Sequence, residues 1–186
     1  MKMRILGILF LAVLSLPAEI FATTLARLSL DQLASSADAV ARERCAASDS
    51  RWENGSIWTV TTFDVVETMK GNLNAQVTVR LPGGRAGHLT AAVDGTPKFN
   101  PGDDAVVFLQ RLPEGGFSVA GWVEGSFRIS VDPRTRREIV TQDSSAFAVF
   151  NTATRAFQTE GIRRMPIEQF RGLVTAAITR AEGKTR

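Results

Sequence analysis

The sequence predicts a mainly β protein: a barrel or sandwich of short strands, with a short helix before it and a longer helix after it. Runs rich in Val, Thr, Phe and Trp, which suit a pleated surface, recur between Gly, Pro and Asn turn signals. Apolar residues take a helical spacing only near the two ends of the chain. No repeat or linker divides the chain. We therefore expect one domain, with the β structure over about residues 39–150.

The first 22 residues have the pattern of a secretory signal peptide. Lys2 and Arg4 precede an apolar run, ILGILFLAVLSL, and a small residue, Ala22, ends the segment. The run is shorter than the about 20 residues that a membrane-spanning helix needs. We place cleavage after Ala22, with Ala18 as the alternative. We therefore expect export to the periplasm or the extracellular space, with no stable membrane span after cleavage.

The expected mature chain, residues 23–186, is long enough for one domain with a sizeable core. The net charge of the whole chain is +3, and the predicted leader carries two bases and one acid. This mild excess is not the footprint of a nucleic-acid-binding protein, so we expect no nucleic-acid partner. Cys45 is the only cysteine, which excludes an internal disulfide. From the sequence, Cys45 is either a small buried hydrophobe or a reactive thiol.

Two segments define the start of the fold. Ser29 is a good N-cap, and the residues after it have helical apolar spacing, which predicts a helix over about 30–37. The next segment is ambiguous, because its Ala, Arg and Glu content favours a helix. The downstream Asn54-Gly55 pair, in contrast, is typical of a two-residue type I′ hairpin turn. We predict a strand over about 39–51, with helix as the alternative.

Strand signals then continue to the last quarter of the chain. A long strand is predicted over about 56–69, and alternating QVTVRL is predicted as a half-buried strand that a Pro-Gly-Gly turn closes. Further strands are predicted in HLTAAV, twice within GFSVAGWVEGSFRISV, in IVT and in AFAVF. An apolar stripe after Pro166 predicts a final helix over about 166–182 that packs on the sheet.

In the stretch FNPGDDAVVFLQR, two adjacent carboxylates, Asp103 and Asp104, directly precede an apolar run. NPGDD has the composition of a turn, and AVVFL has that of a central strand buried on both faces. Adjacent side chains of a strand point to opposite faces. We therefore predict a turn that leads into a core strand, not an acid/base pair converging on one point.

The segment TTFDVVETMKGN, with its Lys-Gly end, and the later FNPGDDAVVFLQR resemble the netrin-like domains, which include the tissue inhibitors of metalloproteinases. Residues 28 to about 130 also resemble a group of uncharacterised bacterial exported proteins, through LSLDQLASSADAV, the GG turn and the apolar strand. The resemblance implies an OB-like Greek-key barrel of five or more strands with flanking helices. The metalloproteinase inhibitors chelate zinc through an N-terminal cysteine. The expected N-terminus here is Thr23, so that mechanism does not carry over.

The residues of catalysis are scarce in this chain. One histidine, His88, and one cysteine, Cys45, do not suffice for a four-ligand Cys/His zinc site. The HExxH and G-x-S-x-G motifs, a phosphate loop and the spaced acids of a calcium loop are all missing. Cys45 and His88 lie on separate predicted strands with no orienting signature. We expect no enzyme, no metal and no cofactor, with a thiol hydrolase that uses Cys45 as an alternative.

Aromatic and basic residues supply the candidate binding sites. Barrels of the OB type bind extended ligands with aromatic platforms on a sheet face. The candidates are Trp52, Trp58 and Trp122, a basic hairpin tip of Arg134, Arg136 and Arg137, and a second basic spot at Arg163-Arg164. Each tryptophan is alternatively a core plug, and each arginine a solvated surface residue. The sequence thus favours an exported binding module for a protein or a cell-envelope polymer, with a netrin-like protease inhibitor as a further alternative.

Overall fold

The computed structural model describes residues 27–146, 149–151, 156–158 and 161–183. Strands dominate this part of the chain, and α-helices lie only near its two ends, so the mainly β prediction is confirmed. The predicted leader and both cleavage points lie outside the described residues, as does part of the predicted AFAVF strand. Neither α-helix in the described ranges combines the length and apolar character that crossing a bilayer requires.

Helix α1 (Leu30–Ser36) begins where the capping signal predicts. The Ser29 hydroxyl accepts from the backbone N–H of Gln32 at 3.2 Å, and the Gln32 side-chain oxygen accepts from the Ser29 N–H at 2.8 Å. These reciprocal bonds form a capping box. The helix buries Leu33 and Ala34 and leaves its polar residues outside.

A long hairpin follows, formed by β1 (Ala39–Glu53) and β2 (Ser56–Lys70). Its turn residues, Asn54 and Gly55, have φ angles of 49° and 81°, as a type I′ turn requires. The strand prediction over 39–51 is therefore confirmed. Helical propensity is overridden because the first residues of β1 pair with strands on both sides.

The remaining elements are short. They are β3 (Gln76–Pro82), β4 (Gly84–Ala86), β5 (Leu89–Ala91), β6 (Asp104–Arg111), β7 (Phe117–Val119), β8 (Ser126–Val131), β9 (Glu138–Gln142), β10 (Val149–Asn151), β11 (Ala156–Gln158), β12 (Met165–Pro166) and α2 (Ile167–Gly183). Two 3-10 turns, Trp122–Gly125 and Asp143–Ala146, follow β7 and β9.

Eight strands form one sheet in the order β1-β2-β3-β7-β6-β8-β9-β12, and β1 also pairs with β6. Pairings therefore run in a ring through β1, β2, β3, β7 and β6. The β1–β6 seam is antiparallel and joins residues 39–44 to 104–109. The β3–β7 junction is parallel and consists of one pair, Val79 and Phe117. Strands β8, β9 and β12 extend the sheet beyond the ring.

Two apolar clusters stabilise this arrangement. The ring cluster receives side chains from all five ring strands, among them Phe63, Val79, Val107 and Val119. The helix cluster lies between the sheet and the two helices, and includes Phe108, Phe127 and Phe170. Residues Ala105–Leu109 of β6 are fully buried and supply both clusters, as the sequence predicts for a central strand.

Helix α2 packs against α1 and β9 with the predicted apolar stripe. The stripe is fully or nearly fully buried and consists of Ile167, Phe170, Val174, Ala177 and Ile178. The helix begins at Ile167, one residue after Pro166. Pro166 belongs to β12 and pairs with Ile139 of β9. The C-terminal helix of the prediction is thus present within one residue of its expected ends.

Candidate binding surfaces

The structure separates Asp103 and Asp104. Asp103 lies in the turn before β6, accepts a hydrogen bond from the Asn100 N–H at 2.8 Å and pairs with Arg128 at 2.6 Å. Asp104 pairs instead with Arg42, at 2.7 Å. The two carboxylates meet different arginines, so the predicted turn is confirmed, and these groups are not arranged to share one proton or one metal ion.

Trp52 lies near the tip of the β1–β2 hairpin and is 57% exposed. It is opposite Ile57 in the hairpin ladder, while its chain neighbour Arg51 is opposite Trp58. Because side chains alternate along a strand, Trp52 and Trp58 lie on opposite faces of the hairpin. The two tryptophans therefore do not form one stacking platform, although both are at the same end of the hairpin.

Trp58 is half-buried beneath an arginine. The Arg80 guanidinium lies 4.6 Å from the centre of the Trp58 ring and pairs with Glu53 at 3.1 Å. Arg51 approaches the same carboxylate at 3.4 Å. We refer to Arg51, Trp52, Glu53, Trp58 and Arg80 as the hairpin-tip surface, which has Trp52 on one face of the hairpin and the other four residues on the opposite face. The cation–π contact and the ion pairs hold one face of it in a fixed arrangement.

Trp122 is in a different setting. It begins the 3-10 turn after β7 with a left-handed φ of 53° and packs, half-buried, against the ring cluster. The next residue, Val123, donates its N–H to the Gly95 carbonyl at 3.0 Å. Trp122 therefore covers the core in this structure and is not part of the hairpin-tip surface.

The predicted basic hairpin tip is the β8–β9 turn. Arg134, Arg136 and Arg137 are all exposed there. The turn also carries Asp132, whose carboxylate binds the guanidinium of Arg164. Asp132 also accepts a hydrogen bond from the backbone N–H of Arg134, so the fold brings the two basic spots, which are separate in the sequence, together at one carboxylate.

Cys45 and His88 are not arranged as a nucleophile and base. Cys45 is 2% exposed within the ring cluster, and burial raises the pKa of its thiol. His88 is exposed in the short turn between β4 and β5. The sequence left open whether Cys45 is buried or reactive, and the structure places it in the core.

The sequence interpretation missed Glu43, the most unusual ionisable residue of the described chain. It is opposite Val65 of β2 and Ala105 of β6 and is 0% exposed. Neither carboxylate oxygen has a hydrogen-bond partner among the described residues. Burial raises its pKa from 4.5 to about 8. Period-two alternation through Ala41, Glu43 and Cys45 is the sequence signal that points this side chain inward.

Glu124 is a second buried acid, but its polar atoms have partners. It accepts a hydrogen bond from the Gln142 side chain at 3.0 Å, and Gln142 also donates to the Glu124 carbonyl at 2.7 Å. Burial is the main cause that raises its pKa. Glu124 thus belongs to a satisfied network that joins the 3-10 turn to β9.

No group of three or more His, Cys, Asp or Glu side chains within the described ranges is positioned to hold a metal ion. Neither a scan against protein-family models nor a search of curated proteins finds a match to this chain. The candidate surfaces are therefore interpreted from their own geometry and chemistry.

Proposed function

We propose that the protein is an exported, non-enzymatic binding module that holds a protein or a cell-envelope polymer through the hairpin-tip surface. The observation that carries the proposal is the exposure of Trp52 at the end of two long strands, whose pairing is continuous from Ala47 and Thr62 to the turn. A rigid support reduces the entropy that a side chain loses on binding. Tryptophan and arginine are also the residues most enriched among interface hot spots.

We propose in addition that the ring of strands is an OB-like barrel. The circular pairing order, with antiparallel neighbours and one parallel junction between β3 and β7, supports this assignment. The long β1–β2 hairpin then projects from the barrel wall beyond the seam with β6, which ends at Arg44. The binding faces of such barrels include the second and third strands, and these carry Trp58 and Arg80.

Export remains part of the proposal because the leader pattern supports it. Within the binding class, a netrin-like protease inhibitor is the special case in which the partner is a peptidase. The thiol hydrolase is disfavoured, because a buried thiol with a raised pKa is a poor nucleophile at neutral pH.

The test is affinity capture with purified protein immobilised against envelope and secreted fractions, followed by titration of the captured partner. A panel of metalloproteases is titrated in parallel to detect an inhibitor. We expect Trp52→Ala to weaken binding by about 30-fold, since truncation of a hot-spot residue costs about 2 kcal/mol or more.

Leu173→Ala is the matched control, because Leu173 is also an exposed apolar side chain but lies on α2. We expect this variant to bind like the wild type. Far-UV circular dichroism verifies that both variants are folded. Equal binding by wild type, Trp52→Ala and Leu173→Ala contradicts the assignment of the surface.

A further inference from the structure

The β8–β9 turn carries a concentration of positive charge. Arg134, Arg136, Arg137 and Arg164 are exposed, and we call these four residues the basic patch. Backbone hydrogen bonds fix the turn: Asp132 donates to the Arg137 carbonyl and Arg136 donates to the Asp132 carbonyl, each at 2.8 Å. Arg136 has a left-handed φ of 58°, so the backbone bends sharply at the centre of the patch.

The one carboxylate at this turn is engaged by the fold. Asp132 accepts hydrogen bonds from the backbone N–H groups of Arg134 and Thr135 at 2.8 and 2.9 Å, and it is buried. These amide bonds are the main reason that its pKa lies below the ordinary value. Asp132 also binds Arg164, yet the Arg164 side chain stays 60% exposed. Four positive charges thus face solvent around a single buried negative charge.

No ion pair within the described ranges engages the three turn arginines. The neighbouring Arg163 differs, because its guanidinium donates to the Ser145 carbonyl. Unpaired arginines are placed to bind an external anion. The guanidinium group presents planar, paired N–H donors, which match the oxygens of a phosphate group.

We infer that the basic patch binds a flexible anionic polymer that carries phosphate groups. Arg136 and Arg137 are adjacent on a bent backbone, so their side chains leave it in different directions. A flexible polymer can bend so that its phosphate groups contact all of these diverging guanidinium groups at once. A flat bilayer contacts only the guanidinium groups on one side of the turn. The inference rests on the proposed binding function, to which it adds a second surface and the chemical class of its ligand.

The experiment measures binding of purified protein to long-chain inorganic polyphosphate by isothermal titration calorimetry at several salt concentrations. We expect the logarithm of the affinity to fall linearly with the logarithm of the salt concentration, as for other polyanion complexes. Replacement of three turn residues, Arg134→Gln, Arg136→Asn and Arg137→Gln, should weaken binding at least about 10-fold and reduce the salt slope by about three. Asn suits the left-handed position.

A triple variant of equal net charge is the control. Arg44→Gln, Arg85→Gln and Lys98→Gln remove three exposed charges outside the basic patch, and we expect less than about a twofold change. A further variant, Arg134→Lys, Arg136→Lys and Arg137→Lys, keeps the positive charge but lacks the planar N–H donors of the guanidinium group. It should bind with intermediate affinity and an unchanged salt slope.

Several outcomes overturn the inference. They are absence of wild-type binding at low salt, equal losses in the patch and control variants, equal or tighter binding to polyglutamate of the same length, and a preference for vesicles of anionic phospholipid. The proposed function is tested separately, because Trp52→Ala alters the hairpin-tip surface and leaves the basic patch intact.

Discussion

Glu43 occupies a position on β1 that strand alternation assigns to the ring cluster. Its neighbours across the two ladders, Val65 and Ala105, are apolar, and Cys45 is the ionisable residue that shares its face of β1. The charged neighbours Arg42 and Arg44 alternate onto the opposite face, where they approach Asp104. A carboxylate in this setting is shielded from bulk solvent and has no counter-ion among the described residues, so the neutral acid is the stable form up to about pH 8.

The first prediction concerns the pH dependence of stability. The folded pKa of Glu43, about 8, lies above the unfolded value of 4.5, so the folded state binds the proton more tightly. The free energy of unfolding should therefore fall by up to about 1.4 kcal/mol per pH unit between pH 5 and 8, and level off above. Urea unfolding at each pH measures this slope.

Glu43→Gln should remove this contribution, because the amide does not titrate. Glu114→Gln is the control, since Glu114 is exposed in the turn after β6 and should leave the slope unchanged. Glu124 also has a raised pKa and contributes a residual slope of the same sign in both variants. A Glu43→Gln slope equal to that of the wild type contradicts the assignment.

The contrast between Glu43 and Asp103 shows what sequence reasoning reaches at the scale of residues. Composition alone identified the Asp103 turn, because Pro, Gly and Asp act locally. Glu43 was missed because the burial of its side chain depends on which face of β1 lies in the core. Pairing with β6, which is far along the chain, decides that face. The link from Arg164 to Asp132 has the same origin in long-range pairing.

At the scale of elements, β4 crosses the hairpin at close range. A Cβ atom added to Gly84 would lie 2.2 Å from the Ser50 hydroxyl and 2.4 Å from the Thr59 hydroxyl. These hydroxyls are bonded to each other at 2.8 Å, and Thr59 also donates to the Gly83 carbonyl at 2.7 Å. Glycine is thus required here both for its φ of 124° and for the space it leaves.

The second prediction follows from this crossing. Gly84→Ala should lower the free energy of unfolding by more than Gly115→Ala, with an added cost of about 1–3 kcal/mol for displaced neighbours. Gly115 is the matched control because its φ of 95° is also left-handed but a Cβ atom there meets nothing within 4 Å. Urea midpoints at constant m-value provide the comparison. If both variants lose the same free energy of unfolding, backbone strain alone accounts for the destabilisation, and the close contacts at Gly84 contribute nothing.

The elements themselves were largely predictable, for reasons visible in β1 and β6. The Asn54-Gly55 pair fixes the register of the hairpin locally, and the AVVFL run is apolar enough to indicate burial on both faces. The split of the sheet into a ring and an extension was not predicted. That split arises because β6 pairs with β1 on one side and with β7 and β8 on the other, which is a property of topology.

At the scale of the whole molecule, one arginine joins the ring to the sheet extension. Arg42 of β1 donates to Asp104 of β6 at 3.1 and 2.7 Å, and to Glu138 of β9 at 3.0 and 2.7 Å. Its side chain is largely buried, and these hydrogen bonds raise its own pKa and lower that of Glu138. The ion-pair network spans three strands that lie on both sides of the β1–β6 seam.

The third prediction is that Arg42→Met destabilises the whole described fold by about 3 kcal/mol, because it leaves Asp104 largely buried without its main counter-ion. Arg44 approaches Asp104 at 3.6 Å and offsets part of the loss. Arg180→Met is the control, since Arg180 makes an equally well-formed pair with Asp31 at an exposed site. It should cost less than about 1 kcal/mol.

Urea unfolding of Arg42→Met, followed by two spectroscopic probes, tests whether Arg42 couples the ring to the sheet extension. All three tryptophans lie on the ring or its turns, whereas circular dichroism also reports the extension and the helices. If Arg42 couples the two parts, tryptophan fluorescence and circular dichroism should shift together to a lower urea midpoint in Arg42→Met. Adding Asp104→Asn should recover part of the loss, because the uncompensated charge is then removed. A fluorescence transition that stays at the wild-type midpoint while circular dichroism shifts would mean that the ring folds independently of the extension.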